Sequence, residues 1–376
     1  MNSSTKSAPL LLVGGGADAL NVRYACGFTA PDPFLFLQRG ADIHLVISML
    51  ELGRAKALGE SIHCHTPDSL GFKKGVRHSL GKQALGVLKV LGLQKVYVSA
   101  QCPVGLVREL EKGGIQVQIK KSPLFPERLR KTEAEVKALR KSQRAAVSAM
   151  KAAFACIEES REGAKKLLRQ PDGKLLTAEG LRRTIERVLL ESDCEAEELI
   201  VAGGDQAVDP HERGFGPLKA GELIVLDIFP RSKVSGYWGD ITRTVIKGAP
   251  HKDQVRLYST VLKAQKAALS EVKAGVTGKE IHERICRRFE EAGYETGLID
   301  GIPQGFIHST GHGVGLEIHE GPSISSMGGE LEAGQVITLE PGLYYRGLGG
   351  VRIEDTVVVT ETGCSMLAPC TKAWRL

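Results

Sequence analysis

The chain has 376 residues, 42% hydrophobic and 25% charged, ordinary proportions for a folded protein. This excludes wholesale disorder and collagen-like repeats, and no apolar run nears the roughly 20 residues of a membrane helix. The 50 Lys+Arg against 44 Asp+Glu leave a charge of +6, which admits an anionic partner without arguing for one. Neither a membrane nor a nucleic acid is therefore expected as partner.

At about 150 residues per domain, the length predicts two to three domains. Residues 1–20 carry one lysine and one short apolar run, too weak a pattern for a secretion signal. Eight cysteines stand singly, none in a CxxC pair, so neither a zinc ribbon nor a disulfide framework is indicated. A cytoplasmic protein with reduced thiols is the expectation.

From residue 8 to about 122, short β-rich runs alternate with helical patterns, the signature of α/β packing. Strand-like runs fall at 34–37, 43–47, 95–98 and 114–119, and helical patterns at about 51–60, 78–91 and 103–112. Two prolines in Lys120-Lys-Ser-Pro-Leu-Phe-Pro126 then mark a linker. Thr132 and Glu135 have capping-box spacing, and Val136, Leu139, Val147, Met150, Phe154 and Ile157 follow on one helical stripe. The opposite, basic face of that helix reads as solvated. Further helices are predicted at 177–192, 252–273 and 277–293. Between them, strands are predicted at 198–202, 222–229, 236–246, 305–309, 334–340 and 351–360, giving an α+β second half.

Three local motifs carry little. Gly14-Gly15-Gly16 lacks the rest of a phosphate-loop pattern and reads as a strand-ending turn. His63-Cys64-His65 reads as loop, because successive residues of an extended chain seldom aim at one ion. His308 and His312 stand four apart, but glycines 311 and 313 make a helix poor there and no HExxH glutamate follows His308.

The informative signal is acid placed inside apolar strands. Asp227 interrupts Glu222-Leu-Ile-Val-Leu-Asp227-Ile-Phe229, a run continuous enough for burial on both faces. A lone buried carboxylate is costly unless it is paired, protonated or bound to a cation. Asp240 follows in a second strand-like run, and a turn at 230–233 would set it directly across from Asp227. Glu340 ends Val336-Ile-Thr-Leu-Glu340, and a hairpin centred on Gly347 would set it across from Glu354. Alternation puts Arg352 and Glu354 on one face of that strand and Asp355 on the other. Unit charges 4 Å apart repel by about 4 kcal/mol at an effective dielectric near 20. Four clustered carboxylates must therefore protonate or take up cations. Two divalent ions would balance their formal charge, with His312 as the candidate neutral imidazole.

These residues resemble the pita-bread metallopeptidases: Xaa-Pro aminopeptidases, prolidases and methionine aminopeptidases. The matching segments are Val201-Ala-Gly-Gly204, Asp209-Pro-His211, Leu226-Asp227, Asp240-Ile-Thr-Arg-Thr244 and His308-Ser-Thr-Gly-His312-Gly-Val-Gly-Leu316. His319-Glu-Gly-Pro322, Leu339-Glu-Pro-Gly342 and Gly350-Val-Arg-Ile-Glu354-Asp355 complete the series in the same order. The His-x-x-Gly-His spacing and an N-terminal domain of about 125 residues are closer to the Xaa-Pro branch.

The resemblance implies a creatinase/prolidase-like α/β N-terminal domain over 1–125 and an α+β pita-bread catalytic domain over 126–376. It implies two divalent metal ions (Mn, Co, Zn or Fe) held by Asp227, Asp240, His312, Glu340 and Glu354, with Asp240 and Glu354 bridging. His211 and His319 match histidines that line the cleft, and His308 and Arg352 match positions behind the ligands or beside the substrate. The implied activity is hydrolysis of a peptide or dipeptide bond preceding proline by a hydroxide between the metals, with Glu340 as proton shuttle, in a homodimer. The competing readings are a binding protein on the same fold and a creatinase-type amidinohydrolase. Asp227 and Asp240 are separated by two more residues than is usual in the family; the extra pair, within 229–233, preserves strand parity.

Overall fold

The computed structural model describes residues 8–73, 76 and 78–376. The chain divides into two compact units, one ending at Arg128 and one beginning at Leu129.

In the first unit, β1 (Leu10–Gly14), β2 (Phe34–Arg39), β3 (Asp42–Val46), β4 (Ile62–His65), β5 (Lys95–Val98) and β6 (Gln116–Ile119) form one sheet. The order among the described residues is β4-β3-β2-β1-β5-β6. β1–β2 and β2–β3 pair antiparallel, while β1–β5, β5–β6 and β3–β4 are parallel. Alternation in β1 sends Leu10 and Leu12 into one core and Leu11 and Val13 into the other, so both faces are covered. The second core includes Ala84, Val87 and Leu88 of α3 (Leu80–Val90) and Leu106 and Leu110 of α4 (Val104–Lys112). Preceding them are α1 (Ala19–Cys26) and the short α2 (Leu52–Lys56). Two expectations are corrected here. The helix predicted over 51–60 is only five residues long, and His63-Cys64-His65 is strand rather than loop.

In the second unit, α5 (Glu133–Glu159) begins at the Thr132–Glu135 capping box, and its stripe from Leu139 to Ile157 is buried. With α6 (Ala178–Glu191), it packs on the antiparallel sheet of β7 (Ile200–Gly203), β8 (Leu223–Ile228) and β9 (Ile241–Ile246). α7 (Lys252–Glu271) and α8 (Gly278–Glu291) cover a second core. That core lies on β10 (Gly311–Gly313), β11 (Glu320–Ile324), β12 (Val336–Leu339), the hairpin β13 (Gly342–Tyr345)–β14 (Gly349–Arg352), β15 (Asp355–Val359) and β16 (Cys364–Met366). The five-stranded sheet is ordered β11-β10-β12-β15-β16. Completely buried side chains such as Leu181 and Phe289 each stabilise these cores by about 1.5–3 kcal/mol relative to exposure.

Four further expectations change. Residues 236–240 are not strand, because β9 begins only at Ile241. Residues 305–309 make no strand, and the run 351–360 is broken between Arg352 and Asp355. Asp227 does not face Asp240: its partner across the ladder is Thr242. The excursion between β8 and β9 is no tight hairpin, since Arg231–Ser232 pairs with the distant Cys194–Glu195 and shifts the register by two. Parity survives the shift, so both aspartates project from the same face. The other hairpin is as expected. One register runs through β12–β15 and β13–β14, from Val336↔Val358 to Tyr345↔Gly349, and it sets Glu340 across from Glu354.

Candidate metal centre

The two sheets of the second unit bring their acids to the floor of one cavity of about 970 Å³. Its walls include Asp227, Asp240, His312, Glu340 and Glu354, together with His211, His308, His319 and Arg352. All nine residues singled out in the sequence meet there. One ligand atom from each of Asp240, His312 and Glu354 lies within 4.8 Å of the others. His312 Nε2 is 3.6 Å from Asp240 Oδ2 and 3.5 Å from Glu340 Oε1.

Backbone contacts hold these groups from behind. The Gln143 side chain accepts from Asp240 N (2.8 Å) and donates to Asp240 O (2.7 Å), tying the aspartate to α5. Thr242 Oγ1 donates to Glu354 Oε2 at 2.7 Å. His312 sits on β10 because Gly311 lets that strand approach: a Cβ there would lie 2.0 Å from the carbonyl oxygen of Thr338.

Crowding shows in the protonation of the acids. Asp240 is pushed well above the ordinary aspartate value, chiefly by burial and then by the charges of Glu354, Asp227 and Glu340. Glu354 shifts in the same direction for the same reasons, although Thr242 and Arg352 oppose it. Glu340 rises to about 8, burial outweighing the pull of Arg352. His312 falls to about 4, mainly through burial and then through His319, whose ring meets it edge-on at 4.4 Å.

Two details match this donor set to a divalent cation. The His312 Nδ1–H donates to the Gly313 carbonyl, so its Nε2 lone pair faces the Asp240 and Glu340 carboxyl groups and is free to bind a cation with them. In addition, Asp227 Oδ1 is buried with no hydrogen-bond partner, an arrangement that is costly unless something positive meets it. Four carboxylates and one imidazole are the oxygen and nitrogen donors that such ions take.

A linked set of hydrogen bonds backs the cluster. Arg352 Nη2 donates to Asp227 Oδ2 (2.8 Å) and Nη1 donates to the Tyr344 hydroxyl (2.9 Å). His308 Nδ1–H is committed to the Ser309 carbonyl, so its Nε2 accepts from Tyr344 at 2.8 Å. Gly342 leaves room for that bond, since a Cβ there would stand 2.5 Å from the Tyr344 hydroxyl. His308 is driven down to about 3 by burial first and Arg352 second. Asp355, on the other face, instead bonds Arg243, Lys372 and Gln265. Tyr344 and Thr242 were not among the residues picked from the sequence. Alternation by two from Glu340 and from Asp240 would have found both.

Residues 137–361, well over half of the chain, match the description "Metallopeptidase family M24". The chain belongs to metallopeptidase family M24. This M24 chain is 34% identical over 282 residues to an Xaa-Pro dipeptidase of Pyrococcus horikoshii, covering 73% of each. Among solved structures, it is similar to a prolidase from Pyrococcus furiosus (TM-score 0.77, 28% identity, 96% of both chains covered). An X-Pro aminopeptidase from Thermotoga maritima is similar too (TM-score 0.81, 25% identity, covering 98% of this chain and 97% of that one). The second unit thus has the pita-bread fold of the M24 hydrolases, and membership implies use of divalent metal.

Proposed function

We propose that this chain hydrolyses the peptide bond preceding proline, acting on a dipeptide or at the N-terminus of a longer peptide. The observation that carries this reading is the buried acid cluster closed by His312, with Asp227 Oδ1 unmatched on the floor of a substrate-sized cavity. Asp227, Asp240, His312, Glu340 and Glu354 would hold two ions of Mn, Co, Zn or Fe. Bound divalent ions polarise a carbonyl and lower the pKa of water toward neutrality.

The chain's own groups do the rest. Ile200, Phe229, Ile307 and Ile318 line the cavity and give the pyrrolidine ring apolar contact. His211 and His319 orient the scissile carbonyl from the wall. An Xaa-Pro amide nitrogen has no hydrogen and must gain one as it leaves. Glu340, a carboxylate on the cavity wall, is the group that holds that proton and returns it. Arg352 and Tyr344 keep Asp227 and His308 in place. We read residues 1–125 as the N-terminal domain and 126–376 as the catalytic one, in a cytoplasmic homodimer. Eight free cysteines support that address.

Hydrolysis of Gly-Pro, Ala-Pro-Ala and Met-Ala, each with the four metals in turn, tests the reading. Release of the residue ahead of proline is the expected result. Cleavage of Met-Ala alone would overturn the proline assignment.

A further inference from the structure

The first unit carries a second group of imidazoles, which the peptidase reading does not use. β3 and β4 run parallel, with His44 opposite His63 and Val46 opposite His65. Alternation puts His63 and His65 on one face of β4, while Cys64 faces the apolar core on the other. Because neighbouring strands stand about 4.8 Å apart, all three histidines share one patch on the outermost two strands. His44 Nδ1 is 3.1 Å from His65 Nε2. The His44 ring stacks on that of His63 at 4.8 Å, with 26° between their planes, and lies 5.4 Å from that of His65. His44 is pushed down to about 4, by burial and then by the two other histidines and Arg39, with Asp42 opposing. His65 is shifted down by burial and by His63. All of this favours neutral imidazole, the form that binds metal.

We propose that His44 and His65, with His63 as a third arm, form a binding site for a divalent transition-metal ion of the imidazole-preferring kind: Zn²⁺, Ni²⁺ or Cu²⁺. Two imidazole nitrogens bound to one ion at about 2.0–2.1 Å lie about 2.8–3.4 Å apart at square or tetrahedral angles. The observed 3.1 Å already meets that requirement, and the ion replaces the proton now shared between the rings. His63 is exposed, so turning its side chain off the His44 ring supplies a third nitrogen, and water completes the shell. An all-imidazole set selects these ions over Mg²⁺, Ca²⁺ and Mn²⁺, which favour oxygen. A bound ion fastens β4, the edge strand, to its neighbour. The inference is independent of the proposed peptidase function, because no residue of the second unit takes part.

The test uses the full-length protein stripped of metal and titrated with Zn²⁺ against a chromogenic chelator. Wild type is expected to take up one more equivalent than His65→Ala, and the difference should persist when Glu354→Gln is added to both. Peptidase activity of His65→Ala, supplied with metal, should match wild type. With Cu²⁺, the spin-resonance spectrum of Glu354→Gln should show coupling to at least two imidazole nitrogens, and His65→Ala should remove it. Equal Zn²⁺ uptake by wild type and His65→Ala overturns the site. Should His65→Ala fail to fold, the Cu²⁺ spectrum alone decides, and coupling to a single nitrogen rejects the proposal.

Discussion

Tyr344→Phe tests the hydrogen-bonded backing of the centre with the loss of one oxygen atom. The hydroxyl accepts from Arg352, which is buried, and donates to His308, which is half-buried. Deleting it leaves a guanidinium N–H and an imidazole lone pair without partners. A lost bond to a charged group is worth about 1.5–3 kcal/mol and a neutral one about 1 kcal/mol, so the variant should be about 3 kcal/mol less stable. For a unit of this size, that lowers Tm by roughly 6–12 °C. Arg352 also fixes Asp227 through its other nitrogen, so loosening it should lower kcat/KM by about tenfold. The assays are a thermal melt and steady-state hydrolysis of Ala-Pro with metal saturating. The double variant with His308→Ala should fall short of the sum of the two singles, because both remove the same bond. A Tm within 2 °C of wild type together with unchanged kcat/KM would refute the reasoning.

Glu340 ordinarily titrates at 4.5 but here at about 8, so its neutral form stabilises the metal-free fold fully below 4.5, and that contribution disappears as pH rises through 8. Histidines 308 and 312 shift the other way and act only below about 6.5, which leaves pH 7 to 8.5 to the carboxylates. Metal-free protein should therefore lose Tm steadily between pH 7 and 8.5, while added cation stabilises it increasingly over the same range; a flat metal-free profile contradicts this. Arg243→Met leaves Asp355 with only Lys372 and Gln265 and frees the carbonyls of Cys370 and Thr371. Breaking such a buried pair costs about 3–5 kcal/mol, readable as a lower urea midpoint.

Legibility from sequence depended on whether a local rule decided the geometry. Glycines around residue 347 fold the chain back tightly, so the register that opposes Glu340 and Glu354 follows from counting. The same counting misplaces Asp240 by two, because Arg231–Ser232 leaves the hairpin for a partner some forty residues earlier, a non-local pairing invisible to periodicity. Acids inside apolar runs were readable because burial without a counter-charge is expensive. The imidazole patch was not, since His44 meets His65 only once β3 and β4 are known to be neighbours. Gln143 is a polar residue within the buried stripe of α5, whose bonds to Asp240 no helical pattern reveals.

The central claim is that buried acids stay clustered because cations neutralise them. Metal-free protein titrated with Mn²⁺ or Co²⁺, with bound metal counted and Ala-Pro hydrolysis followed together, examines it directly. Activity is predicted to rise from zero and saturate at two equivalents in the second unit, and Asp240→Asn should lose both uptake and activity. Full activity in protein shown to be free of metal, or normal uptake by Asp240→Asn, would contradict the claim.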